Sequence, residues 1–303
     1  MSVQLGVVLP QTEIEADPGA IRAFAQGIES LGAEHVTLYD HVVGVDTSVH
    51  DDWAALARRD GATSAKPYDV DDAFHEVMVL MGYLAGVCSL ELCTGILVLP
   101  QRQTALVAKQ AAEVDVLTNG RLRLGVGIGW NRVEFTALGH DFTKRSARLE
   151  RQIELLRRYW TQRSVDDDGV DGVVRGVGLA PPPVQRPIPI WLAAGRDRAL
   201  ERVGRLADGW LPVSVDPVAV RPAVEIVRRS AAAAGRDPAA IGIEGRLPCG
   251  GPDLDAAVAA YREWTALGAT HVSLNTMNAG LSGADSHLAA ASRVIGALRE
   301  VAA

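Results

Sequence analysis

The chain has 303 residues, 48% of them hydrophobic, which is enough for one large or two ordinary domains with a sizeable buried core. Its formal net charge of −7 argues against a general nucleic-acid binder, which would usually be basic. The three cysteines, Cys88, Cys93 and Cys249, make no disulfide framework and point to a reduced, cytoplasmic compartment with the thiols as small packing residues. The opening MSVQLGVVLPQ lacks the charged start and full apolar run of a signal peptide. No apolar stretch reaches membrane-spanning length, so no membrane partner is expected.

Residues 3–9 read as a short apolar strand closed by Pro10. Asp17-Pro18 combines an N-cap with a first-turn proline; Ile21, Phe24, Ala25, Ile28 and Leu31 then recur on one helical face that ends at Gly32. A second strand at 35–39 runs into Asp40-His41. The polar stretch 44–70 breaks this rhythm. Its length, and its place after a strand's carboxyl end, mark it as a lid over the active-site face, with a short helix around 52–59. A helix from Asp72 turns Phe74, Val77, Met78, Met81 and Leu84 inward. Residues 91–99 form a nearly continuous apolar run, which suits a parallel strand buried on both faces. The next helix carries Leu106, Val107, Gln110, Val114 and Leu117. Thr118-Asn119-Gly120 then turns the chain into a strand over 121–127.

A helical stretch near Glu134 leads into an amphipathic helix at 145–160, with Leu149, Ile153, Leu156 and Tyr159 in one stripe. Residues 163–186 are rich in Asp, Gly and Pro. Asp166-Asp167-Asp168 is expected in a solvated loop, and Val173-Val174 in a small hairpin outside the main sheet. Strands at 188–193, 208–213, 241–247 and 270–274 then alternate with helices at 197–206, 217–234, 254–267 and 284–301. Eight strands alternating with about eight helices predict an α/β fold, a (β/α)8 TIM barrel. The expected organisation is a single domain over 1–303 with an insertion at about 44–70 after the second strand and a loop-rich insertion at about 163–186. An open doubly wound sheet is the alternative. It would place Gly-x-Gly-x-x-Gly after the first strand, and Val7-Val8-Leu9-Pro10-Gln11 contains no glycine.

In a barrel of this kind chemistry sits at the carboxyl ends of the strands. Asp40-His41 ends the second strand; the histidine is an acid/base group, a hydrogen-bond partner for a ring oxygen, or a strand-end cap. Thr94-Gly95-Ile96 puts a glycine inside the third strand, marking a bulge, a close ligand approach or simple barrel packing. Gly125-Val126-Gly127-Ile128-Gly129-Trp130 lets a flat ligand lie on bare backbone, with Trp130 as a pocket wall or a core residue. Ala193-Ala194-Gly195-Arg196-x-Arg198 is a strand-to-helix turn whose amides and two arginines suit a phosphate, unless the arginines are simply solvated. No nucleophile elbow appears, and the histidines lack paired metal spacing, so no metal is expected.

Taken together these stretches resemble the bacterial luciferase-like monooxygenase superfamily, in particular its actinobacterial branch of F420-dependent oxidoreductases. The matching pieces are Leu99-Pro-Gln-Arg-Gln with Val107-Ala-Lys-Gln, Asn119-Gly-Arg with Leu124-Gly-Val-Gly-Ile-Gly-Trp, and Glu134-Phe with Ala137-Leu-Gly. Arg145-Ser-Ala-Arg-Leu-Glu, Pro183-Val-Gln-Arg-Pro and Ala207-Asp-Gly-Trp complete the set. The resemblance implies this barrel with insertions, holding a flavin or deazaflavin ring at the strand ends. It implies a third-strand bulge, often with a non-proline cis peptide, at Gly95-Ile96 to support the ring. It also implies an Asp40-His41 pair at the reacting centre, a ring lined by Gly127, Ile128, Gly129 and Trp130, and a cofactor phosphate held by Ala194, Gly195, Arg196 and Arg198. Gly95 stands where deazaflavin relatives commonly have serine, so its contact to the ring would be backbone only.

The function these observations imply is hydride transfer between the C5 of coenzyme F420 and a small organic substrate, with His41 moving the proton. An FMN-dependent monooxygenase using reduced flavin and O2 is the first alternative, and a non-catalytic flavin-binding protein the second. The resemblance further implies a homodimer.

Overall fold

The computed structural model describes residues 3–302 apart from 15, 51, 62–66, 170 and 252. Positions 51 and 62–66 of the expected lid, and position 170 of the second insertion, therefore lie outside the described residues. The chain opens with β1 (Gln4–Val8), α1 (Pro18–Ser30) and β2 (His35–Leu38), followed by α2 (Trp53–Asp60) and α3 (Val77–Ala85). Next come β3 (Glu91–Thr94), β4 (Leu97–Val98), α4 (Thr104–Leu117), β5 (Leu122–Gly127), α5 (Arg132–Ala137) and α6 (Arg145–Thr161). A hairpin of β6 (Val165–Asp168) and β7 (Val173–Val177) stands apart from the main sheet. The chain then alternates through β8 (Ile190–Ala194), α7 (Asp197–Leu206), β9 (Gly209–Pro212), α8 (Pro217–Ala233), β10 (Gly242–Pro248), α9 (Leu254–Ala266), β11 (His271–Asn275) and α10 (Gly283–Ala302).

All pairings in the main sheet are parallel, and they close: β1 pairs with β2 and β11, β2 with β3, and β3 and β4 with β5; the ring continues through β8, β9 and β10 back to β11. Counting β3 and β4 as one interrupted strand, this is the eight-stranded barrel predicted above. Outward residues such as Val7, Val36, Leu92, Leu124, Ile190 and Val272 are buried under the helices with Phe24, Met81, Leu156, Val203 and Trp264. Local signals hold where they are strong. Asp17 caps α1 by accepting from Ala20 N, and the 118–120 turn has Asn119 and Gly120 at φ 54° and 82°.

Four expectations need correction. The third strand is not continuous over 91–99: it breaks at a cis peptide between Gly95 and Ile96, and Leu99–Gln101 coils into a 3-10 turn. The helix expected from Asp72 starts at Val77, where Glu76 supplies the cap; Phe74 precedes it and packs on an aromatic cluster. On α4, Leu106 and Leu117 are exposed, and Thr104, Ala108, Ala111 and Asp115 take inward positions. Helical spacing identifies a face but not which side of a wide apolar band turns inward. Asp166-Asp167-Asp168 lies in β6 with Asp167 buried, because pairing with β7 satisfies its backbone. The hairpin at Val173-Val174 stands where expected.

Candidate functional site

Successive residues of an extended segment point to opposite sides, and the pair after β2 is divided accordingly. Asp40 is buried; its Oδ2 accepts from the Val98 amide at 3.0 Å and its Oδ1 from Arg102 Nη2 at 2.6 Å. Arg102 reaches on to Glu76 Oε1 at 3.0 Å, and Glu76 caps α3 by accepting from Val79 N at 2.8 Å. Asp40 thus fastens the end of β2 to the strand just past the Gly95–Ile96 bulge. Burial pushes its carboxyl pKa up, against the opposing pull of Arg102 and the Val98 amide.

His41 faces the other way, toward the barrel mouth. Its Nδ1 lies 3.4 Å from Glu134 Oε2. Glu134 comes from the first turn of α5, where Asn131 Oδ1 accepts from the Glu134 amide at 3.1 Å, and its Oε1 accepts from the amides of Val42 and Val43. Burial raises the Glu134 pKa, but the hydrogen bond and charge of His41 and the two amides outweigh it and hold the carboxyl below its usual range. The imidazole is therefore oriented by an ionised carboxylate, while its Nε2 has no hydrogen-bond partner among the described residues. This is the arrangement that poises a histidine to give or take a proton.

An aromatic wall surrounds the imidazole. Tyr68 stacks on it at 3.7 Å between ring centroids, and Phe74 and Trp130 meet it edge-on at 4.9 and 5.9 Å. Trp53 packs on Trp130 at 5.5 Å and donates from Nε1 to Tyr68 O at 3.0 Å. Trp53 and Tyr68 both belong to the 44–70 segment, so the described part of that segment lies against His41 and Trp130. The Tyr68 hydroxyl, held by Asn131 and buried near Glu134, has its pKa pushed up, burial being the main cause.

Beside this wall lie Gly95 and Ile96 of the cis bulge, with Gly127 and Ala193 on the next two strands. A Cβ on Gly95 would stand 2.4 Å from Thr37 Cγ2, and one on Gly127 would stand 2.7 Å from Ile96 Cδ1. Both glycines are required by close packing, because Thr37 and Ile96 already fill the space a Cβ would take. Gly129 has φ +71° and lies against Val98 and Phe135, while Ile128 packs against the barrel core. Two strands from the bulge, Ala194 is buried at the end of β8. Gly195, Arg196 and Arg198 are exposed at the start of α7, where no side chain caps the first-turn amides. Neither arginine makes a side-chain bond among the described residues. Free amides and cations at a helix start fit a phosphate.

Glu134, Arg102, Glu76 and Tyr68 carry much of this geometry and were given no role by sequence reasoning. Glu134-Phe and Leu99-Pro-Gln-Arg-Gln were read only as family pieces; nothing in their spacing shows that they meet residues 40 and 41. Among the described residues no three His, Cys, Asp or Glu side chains group as metal ligands, and no helix is long and apolar enough to cross a membrane.

Comparison with known proteins agrees with this architecture. The phthiodiolone/phenolphthiodiolone dimycocerosates ketoreductase of Mycobacterium tuberculosis is 34% identical over 217 residues, covering 66% of this chain and 56% of that protein. An uncharacterized protein of the same species is 35% identical over 162 residues, 52% of this chain and 57% of its own. The chain thus matches little more than half the length of these relatives. Among solved structures, a monooxygenase from Streptomyces bottropensis superposes with a TM-score of 0.78 at 19% identity, over 99% of this chain and 100% of its own. An F420-dependent secondary alcohol dehydrogenase in complex with an F420-acetone adduct gives 0.76 at 15% identity, again over 99% and 100%. These likenesses concern the fold. The sequence model of the luciferase-like monooxygenase family matches residues 3–298, and the chain belongs to that oxidoreductase family.

Proposed function

We propose that the protein is an F420-dependent oxidoreductase acting on a small organic substrate. The observation that carries this reading is the juxtaposition of the cis bulge at Gly95–Ile96 with a carboxylate-oriented histidine whose Nε2 is open. The deazaflavin ring would be seated on Gly95 and Ile96, lined by Gly127, Ile128, Gly129 and Trp130. Its phosphate would lie at Ala194, Gly195, Arg196 and Arg198. Bound and reduced, F420 supplies a hydride to a carbonyl or unsaturated carbon; oxidised, it takes one from an alcohol. The chain's own residues do the rest. His41 Nε2 gives or takes the proton at the substrate oxygen, Glu134 holds the imidazole and balances its charge, and Asp40 positions the bulge through Val98 and Arg102. Tyr68, Phe74 and Trp53 keep water from the imidazole.

The family match, the ketoreductase relative and the F420-dependent structural neighbour all support this reading. The monooxygenase neighbour supports the FMN alternative. The test is a pair of titrations with F420 and FMN followed by tryptophan fluorescence, because Trp130 beside the ring should be quenched. Micromolar or tighter binding of F420 alone upholds the proposal. Preference for FMN transfers the protein to flavin-dependent oxygen chemistry, to be read by O2 consumption. Tight binding of either without turnover would make it a cofactor carrier.

A further inference from the structure

A second charged group opens into the barrel mouth, on the wall opposite the bulge. Alternate residues of β10 face inward: Glu244 contacts Arg123 and Ser273 inside the barrel, and Arg246, two residues on, lies on the same face one layer nearer the mouth. Arg246 is only partly buried. Its guanidinium carbon sits 5.5 Å from the ring centroid of Tyr39, a distant cation–π contact. It has no hydrogen bond or ion pair among the described residues.

The nearby acids are committed elsewhere. Glu244 holds Arg123 and accepts from Ser273, Asp40 and Glu76 hold Arg102, Glu134 holds His41, and Glu13 lies against His287. An inward-facing cation without a partner leaves part of its hydration unreplaced, and protein interiors normally pair such a charge. Position separates it from the cofactor seat. In the closed strand order β10 lies four strands from β3 in either direction, directly across the barrel.

We propose that Arg246 is the substrate-recognition cation of this site and that the substrate is an organic anion, carrying a carboxylate or a like oxyanion that pairs with Arg246 while its reacting carbon lies near His41. A planar guanidinium suits a carboxylate through two parallel N–H···O bonds, and an aromatic wall on the His41 side suits an apolar body. The proposal rests on the mouth being the substrate pocket, and it names a substrate class that the cofactor reading leaves open.

The test is calorimetric titration of the full chain, with and without F420, using benzoate and its uncharged counterpart benzamide as probes. Benzoate should bind about tenfold or more tightly than benzamide, a difference of about 1.4 kcal/mol. Arg246→Gln should abolish the preference and Arg246→Lys should retain part of it. F420 affinity of Arg246→Gln should stay within about threefold of the parent, which also shows that the variant folds. Absence of benzoate binding, equal binding of the two probes, or a preference that survives Arg246→Gln overturns the proposal. A tenfold loss of F420 affinity in Arg246→Gln also overturns it, by giving the arginine to the cofactor. Because the titration without cofactor needs no turnover, failure of the F420 reading leaves this result intact and separately legible.

Discussion

The two ends of the barrel interior hold charge in opposite ways. Where the strands begin, Arg123 is 2% exposed and paired with Glu91 at 3.0 Å and with Glu244; Glu244 in turn accepts from Ser273 at 2.6 Å and lies near His35. Trp191 lies under the Arg123 guanidinium at 4.4 Å and His271 meets Trp191 edge-on. The charged groups there are paired with one another, and the arrangement plugs the barrel. Where the strands end, Asp40 and Glu134 are bound up, but His41 Nε2 and Arg246 are not. Saturated charge is scaffolding, whereas charge left open at a mouth is available for chemistry. Asp40 obeys the same rule within the mouth: both of its oxygens are engaged in fastening the bulge, whereas its neighbour His41 keeps an open Nε2.

The largest effect should come from breaking the plug. Arg123→Met strands Glu244 in the interior, and removing one partner of a buried pair costs about 3–5 kcal/mol. Urea unfolding should show that loss, and a loss under about 1 kcal/mol would mean that water already reaches Glu244. At the open end the effect should be on rate instead. His41→Ala should lower turnover by roughly a hundredfold or more while changing F420 affinity little. Unchanged turnover would remove His41 from the mechanism.

Acid should sharpen the contrast with the smallest changes. Burial, with Arg123 and His35 nearby, pushes His271 down to about 3, so the unfolded chain binds a proton that the folded chain refuses. Stability should therefore fall as the pH drops below the ordinary histidine value of 6.5. Glu134 adds a second, more acidic step. Its depressed folded pKa contributes stability that is present above the usual 4.5 and is lost as pH falls through the lower folded value. Unfolding midpoints measured from pH 7 to pH 3 should show the first loss shrink in His271→Gln, with His140 and His287, also lowered by burial, supplying the remainder, and the second shrink in Glu134→Gln. Parallel curves for parent and variants would contradict the assignment.

Much of this protein was legible in its residue order. Apolar runs alternating with helical stripes, caps such as Asp17 and turns such as Asn119-Gly120 act within a few residues, so they can be read without knowing the fold. They determined the barrel, and the strand ends at His41, Gly127 and Gly195 followed from it. The family pieces added the bulge position, where the structure has its cis peptide. Tertiary structure alone decided which charges are spent. Glu134 reaches His41 across 93 positions, Arg102 reaches Asp40 across 62, and Arg123 reaches Glu244 across 121. No periodicity encodes such pairs, because the barrel's closure, not the local chain, brings their strands together. Whether Asp40 or His41 stays free, and whether Arg246 or Arg123 lacks a partner, depends on what lies across the barrel.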